Sequence, residues 1–152
     1  MIEWNRHGDL RRMEQFCRRG QARKTPYCIM EVDYYAQAGA KELAECMNGG
    51  YRRIIVDFGE MAGDNICECA RCDRKVIVGA VSEWQAEVFL EDVRAHGRRD
   101  KSWCYAVTFG SEETRREAEK TFHLCIPRIP VSVDPFIVTG TDMEFFISLL
   151  QE

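Results

Sequence analysis

Residues 53–59 run Arg53, Ile54, Ile55, Val56, Asp57, Phe58, Gly59, a continuous β-branched stretch ended by an aspartate and a glycine. A strand with one wet face alternates apolar and polar residues, whereas a strand covered on both faces does not. This stretch therefore predicts a central strand buried on both sides. Residues 75–81 and 103–109 have the same character, the latter closed by Gly110. Several such strands in one chain predict a parallel sheet, which needs crossover connections and helices to cover it.

The segments between the strands supply those helices. Asp9 is placed to cap a helix that Gly20 ends, and a helix over residues 40–47 stops at Asn48, Gly49 and Gly50. Ser82 to Gln85 forms a capping box for a helix running to His96 and Gly97. Ser111 followed by Glu112 and Glu113 opens another, with acids at its positive end. Thr141 to Glu144 is a second capping box, leading into an apolar terminal helix of Phe145, Phe146, Ile147, Leu149 and Leu150 expected to dock on the core. Residues 1–4 and 27–32 read as further strands, 60–71 as a loop or one short helix, and 126–130, with Pro127 and Pro130, as an edge or short strand. The expected fold is α/β, with three layers and a mostly parallel sheet carrying helices on both faces. At 152 residues and 17.6 kDa, one domain over 1–152 is expected.

Composition excludes several classes of function. With 45% hydrophobic and 30% charged residues the chain is globular rather than disordered. A formal charge of −4 gives no positive field for nucleic acid or anionic lipid. No apolar run approaches the ~20 residues of a membrane span, and the start has no secretory h-region, so a cytoplasmic protein is expected. In that compartment the eight cysteines read as reduced thiols, most of them small packing residues.

Few residues suggest chemistry. An aspartate at the carboxyl end of a parallel strand, as Asp57 is here, suits Mg²⁺, which prefers carboxylate oxygen and keeps several waters. Such aspartates also serve as turn or cap residues. The Asp57, Phe58, Gly59 triplet spells the kinase metal motif, but no glycine-rich loop, strand lysine or catalytic loop accompanies it. Cys67, Cys69 and Cys72 offer three thiolates without the paired Cys-x-x-Cys spacing of structural zinc sites. His7, His96 and His123 stand alone near element ends, with no nucleophile beside them in the sequence. Trp4, Trp84 and Trp103 read as core or near-core residues.

Residues 2–10 (Ile2, Glu3, Trp4, Asn5, Arg6, His7, Gly8, Asp9, Leu10) resemble the second-strand segment of MinD/ParA-type deviant P-loop ATPases, in particular the CpaE-like pilus-assembly branch. The likeness continues in order. Residues 51–59 resemble the Walker B strand, 72–78 the strand after it, and Ser82 to Gln85 the start of the next helix. Ile126 and Pro127, with Asp134, Pro135 and Phe136, resemble the adenine-side loop. The resemblance implies an incomplete P-loop NTPase-like or Rossmann-like architecture. It further implies that in full-length relatives Asp57 orders Mg²⁺-bound water and Gly59 offers an amide near the γ-phosphate. Glu3 and Asn5 would face the attacking water, and Pro127 and Asp134 would line the adenine side.

Three departures alter what this chain is expected to do. The phosphate-cradling Gly-x-x-x-x-Gly-Lys-[Ser/Thr] is nowhere in the residues, and its amides and lysine supply most of the phosphate affinity. The family's acidic pair becomes Glu3 and Asn5, leaving a neutral amide where an acid would activate water. The strand-end asparagine is replaced around Thr108, Phe109 and Gly110. No cofactor is expected for this chain, although ATP and Mg²⁺ serve full-length relatives and an upstream P-loop in the gene would restore an ATPase. The expected role is an interaction or regulatory module that meets a protein partner or forms a homodimer. Loss of the P-loop strand would leave strand edges to be closed by sheet rearrangement, a second copy or a borrowed strand. The competing readings are a receiver-like signalling domain with Asp57 as phosphoacceptor, and an enzyme for a small substrate held at the strand carboxyl ends.

Overall fold

A computed structural model describes residues 1–18, 25–60, 65–96, 101–134 and 136–150. The expected helix end at Gly20, and Pro135, lie outside them. The architecture is mixed α/β, and the chain forms two compact units, Met1–Cys69 and Ala70–Glu152.

The first unit is built on β1 (Ile2–Glu3), α1 (Asp9–Arg18), the pair β2 (Tyr27–Ile29) and β3 (Val32–Tyr34), α2 (Ala40–Asn48) and β4 (Val56–Asp57). β1 and β4 are parallel, with Ile2 opposite Val56 and Glu3 opposite Asp57. On its other side β1 bridges Tyr35, whose carbonyl accepts the Glu3 amide at 2.9 Å, while Ile2 and Trp4 donate to Ile55 and Asp57 at 2.8 Å. The strand bonded on both sides is therefore β1, with Ile2 and Glu3 almost wholly buried. This corrects the expectation that residues 53–59 form the central strand. Only Val56 and Asp57 pair, and Ile55 is 61% exposed. An apolar run supplies the side chains for burial, but neighbouring strands must supply the cover.

The single strand expected over residues 27–32 is instead an antiparallel hairpin, reversing through Met30 (φ 49°) and Glu31 (φ 63°). Two consecutive left-handed residues give the turn whose twist matches a tight hairpin. Its usual asparagine and glycine are missing, so the sequence carries no sign of it. Cross-strand Tyr27 and Tyr34 stack at 5.3 Å, and the buried Tyr27 hydroxyl donates to the Leu10 carbonyl at 2.6 Å, fixing the hairpin to α1. Burial raises the Tyr27 pKa, so it remains the donor.

α3 (Asn65–Arg71) crosses from the first unit into the second. The second unit then contains β5 (Lys75–Val81), α4 (Ala86–His96), β6 (Trp103–Gly110), α5 (Glu112–Phe122) and α6 (Gly140–Leu150). β5 has the limits its sequence predicts. It pairs in parallel with β6, and β6 bridges Arg128 on its other side, where Val107 donates to Pro127 and accepts from Ile129. The expected edge strand at 126–130 is thus this short bridge, which tolerates proline because Pro127 needs only its carbonyl. Val81, Phe89, Val93, Tyr105, Val107, Ala118 and Ile126 form the core beneath α4 and α5. Gly79 faces Phe89 so closely that an added Cβ would lie 2.1 Å from the ring.

Helix termini follow the sequence in part. Ser111 accepts the Thr114 amide at 3.0 Å, as a capping serine should, and α5 ends on His123 in the left-handed region. The terminal helix starts earlier than expected, and its cap is Thr139 with Asp142, whose carboxylate accepts the Thr139 amide at 2.8 Å. α6 also docks less fully than expected. It has no buried residue, and Phe146, Ile147 and Leu150 are 44–50% exposed. Trp84, expected in or near the core, is 82% exposed. Of the cysteines Cys46 and Cys69 are buried and Cys72 and Cys104 partly buried, but Cys17, Cys28, Cys67 and Cys125 are exposed, so packing does not account for half of them.

Candidate functional site

The parallel register of β1 and β4 brings the chain segments leaving both strands to one end of the first unit. Asn5 follows β1 and Gly59 follows β4. The Asn5 side-chain amide donates to the Asp57 carbonyl at 3.3 Å, and its oxygen accepts the His7 amide at 2.8 Å. The Asp57 carboxylate accepts the Gly59 amide at 2.9 Å, turning the chain tightly after the strand. Gly59 has φ +64°, and a Cβ there would lie 2.8 Å from Asn5 Cβ and 3.2 Å from His7 Cε1. Glycine is thus required both for its conformation and for the close approach of the β1 segment. Asn65 then donates to the Phe58 and Glu60 carbonyls, both at 3.1 Å, and so fixes the loop below Gly59.

Glu3 is adjacent in sequence but turned to another task. It is completely buried, and one carboxylate oxygen accepts the Asp9 and Leu10 amides at 2.5 and 3.1 Å while the other accepts Gln37 at 3.3 Å. The first two donors belong to the opening turn of α1, where amides have no partner within the helix and the dipole favours negative charge. Glu3 therefore joins β1, α1 and the segment after β3. Of the two carboxylates at this end, Asp57 is the half-exposed one that could meet a cation. Its contact with Gly59 already uses one oxygen.

Pro127 and Asp134 belong to the second unit. The Pro127 carbonyl lies in the ladder to Val107, and Asp134 shapes its own turn, accepting Phe136 at 2.9 Å on its side chain and Ile137 at 3.1 Å on its carbonyl. Arg128 donates to the carbonyls of Thr108 at 3.2 Å and Gly110 at 2.8 Å, holding the carboxyl end of β6. Neither Arg128 nor Asn65 is marked by the sequence, because each acts on carbonyls whose position depends on tertiary structure. Cys67 is exposed, Cys69 buried and Cys72 partly buried. Among the described residues no three His, Cys, Asp or Glu side chains are grouped to hold a metal. No described helix is long and apolar enough to cross a membrane.

No known family model, curated protein or solved structure matches this chain.

Proposed function

We propose that this chain is a MinD/ParA-like, three-layer nucleotidase scaffold of the CpaE-like type, without its anion cradle, serving in the cytoplasm as an interaction or regulatory module. The observation that supports this reading is the parallel register of Glu3 with Asp57, which brings together Asn5, Asp57 and Gly59, the residues to which the resemblance assigns contacts with magnesium, the attacking water and the γ-phosphate. The same geometry argues against hydrolysis by the chain alone. Glu3 is held by three backbone amides, and Asn5 supplies a neutral amide rather than a base. No Gly-Lys loop is present to gather phosphate charge.

Calorimetric titration with ATP and Mg²⁺, paired with a phosphate-release assay, tests this reading. Neither heat of binding nor turnover is expected, and micromolar affinity would overturn it. The receiver reading ranks second because its acidic partners are engaged elsewhere: Glu3 by those amides, and Asp9 by Arg12 at 2.9 Å. Hydroxylamine-labile phosphorylation by a small phosphodonor, abolished in Asp57→Asn, would promote it.

A further inference from the structure

The asparagines of the chain are Asn5, Asn48 and Asn65, followed by Arg6, Gly49 and Ile66. The backbone nitrogen of the next residue can attack an asparagine's carboxamide carbon. A bond forms from that nitrogen to Cγ, base takes the N–H proton and returns it to the leaving group, and ammonia departs. Water then opens the cyclic imide at either carbonyl, giving aspartate or isoaspartate. A side chain on the next residue hinders ring closure, and glycine has none. Asn48 with Gly49 is therefore the pair whose chemistry is least obstructed.

The fold holds that pair apart. Asn48 is the last residue of α2, and its carboxamide donates back to the Ala44 carbonyl at 2.9 Å, away from Gly49. The attacking atom is engaged as well, since the Gly49 amide donates to the Cys46 carbonyl at 3.0 Å. Both contacts depend on the last turn of the helix, which carries no basic side chain to complement its dipole. Packing favours glycine at 49: a Cβ there would lie 3.2 Å from the Glu45 carbonyl oxygen and 3.2 Å from the Tyr51 ring. That ring carries the hydroxyl that donates to Asp33 at 2.7 Å.

We infer that Asn48 is a spontaneous modification site, converted through a cyclic imide to isoaspartate and aspartate at a rate set by how often the last turn of α2 opens. When the turn opens, the carboxamide and the Gly49 nitrogen lose their partners together and can meet. Loss of ammonia makes the change one-way. Either product puts a carboxylate at the negative end of the helix dipole, which weakens the turn further. Isoaspartate also adds a methylene to the backbone ahead of Gly49, shifting it from the Tyr51 ring.

Peptide mass spectrometry on the full chain, incubated in mildly alkaline buffer with and without urea, tests the inference. In urea the peptide holding residues 48 and 49 should convert rapidly, with isoaspartate identified from its backbone fragments, and in buffer the conversion should be many-fold slower. Met47→Gly weakens the last turn at a side chain that is 70% exposed, so it should quicken conversion in buffer several-fold and leave the rate in urea unchanged. Circular dichroism checks that this variant is folded. In the native chain itself, conversion should track exchange of the Gly49 amide as urea is raised below the unfolding transition. Conversion as fast in buffer as in urea, conversion at Asn5 or Asn65 ahead of Asn48, a rate in buffer unchanged by Met47→Gly, or one that fails to follow Gly49 exchange would each overturn the inference.

Discussion

Glu3 shows how a residue's role follows from what surrounds it. A buried carboxylate is tolerated where hydrogen bonds replace its water, and three amides do so here. In Glu3→Gln an amide N–H must face backbone N–H groups, so a loss of about 1–3 kcal/mol in urea-unfolding stability is expected. An unchanged midpoint would remove the structural role assigned to it. Glu112 is the contrasting surface case. Hydrogen bonding to Arg115 lowers its carboxyl pKa to about 2, with Arg116 contributing. A depressed pKa stabilises the fold above the ordinary glutamate value of about 4.3, and that contribution is lost as pH falls toward 2. The melting-temperature difference between the native chain and Glu112→Gln should therefore be constant above about pH 5 and shrink below it.

At the scale of elements, turns and caps set the boundaries. Met30 and Glu31 hold left-handed conformations that side chains disfavour by about 1–2 kcal/mol each. Replacing the pair with asparagine and glycine should raise the melting temperature without altering the Tyr27–Tyr34 stack, whose aromatic circular dichroism serves as the check. Thr139→Ala removes the hydroxyl that bonds Asp142 at 2.7 Å and should cost about 1 kcal/mol, visible as fraying of α6 amides by exchange. β5 was legible because its apolar run, residues 76–81, lies between Lys75 and Ser82, and the α5 cap because Ser111 acts on a neighbour three residues away. The hairpin was not, since β propensity does not mark where a chain reverses without a turn residue. The α6 cap was misplaced by two positions because Thr139–Asp142 and Thr141–Glu144 satisfy the same local pattern.

For the whole molecule, the decisive feature is that strand pairing stops short of what the sequence offers. β1 and β6 are each bonded on two sides, while β5 has one partner among the described residues.

The sequence alone determined the extent of β5, the cap of α5 and the lack of a Gly-x-x-x-x-Gly-Lys-[Ser/Thr] motif in these residues, because these depend on residues close together in the chain. Tertiary structure decided that Glu3 holds a helix start, that β1 rather than β4 is enclosed, and that Asn5, His7 and Gly59 meet. Those outcomes depend on which distant amides and strands arrive at each position, and hydrophobic pattern does not encode the identity of a neighbour.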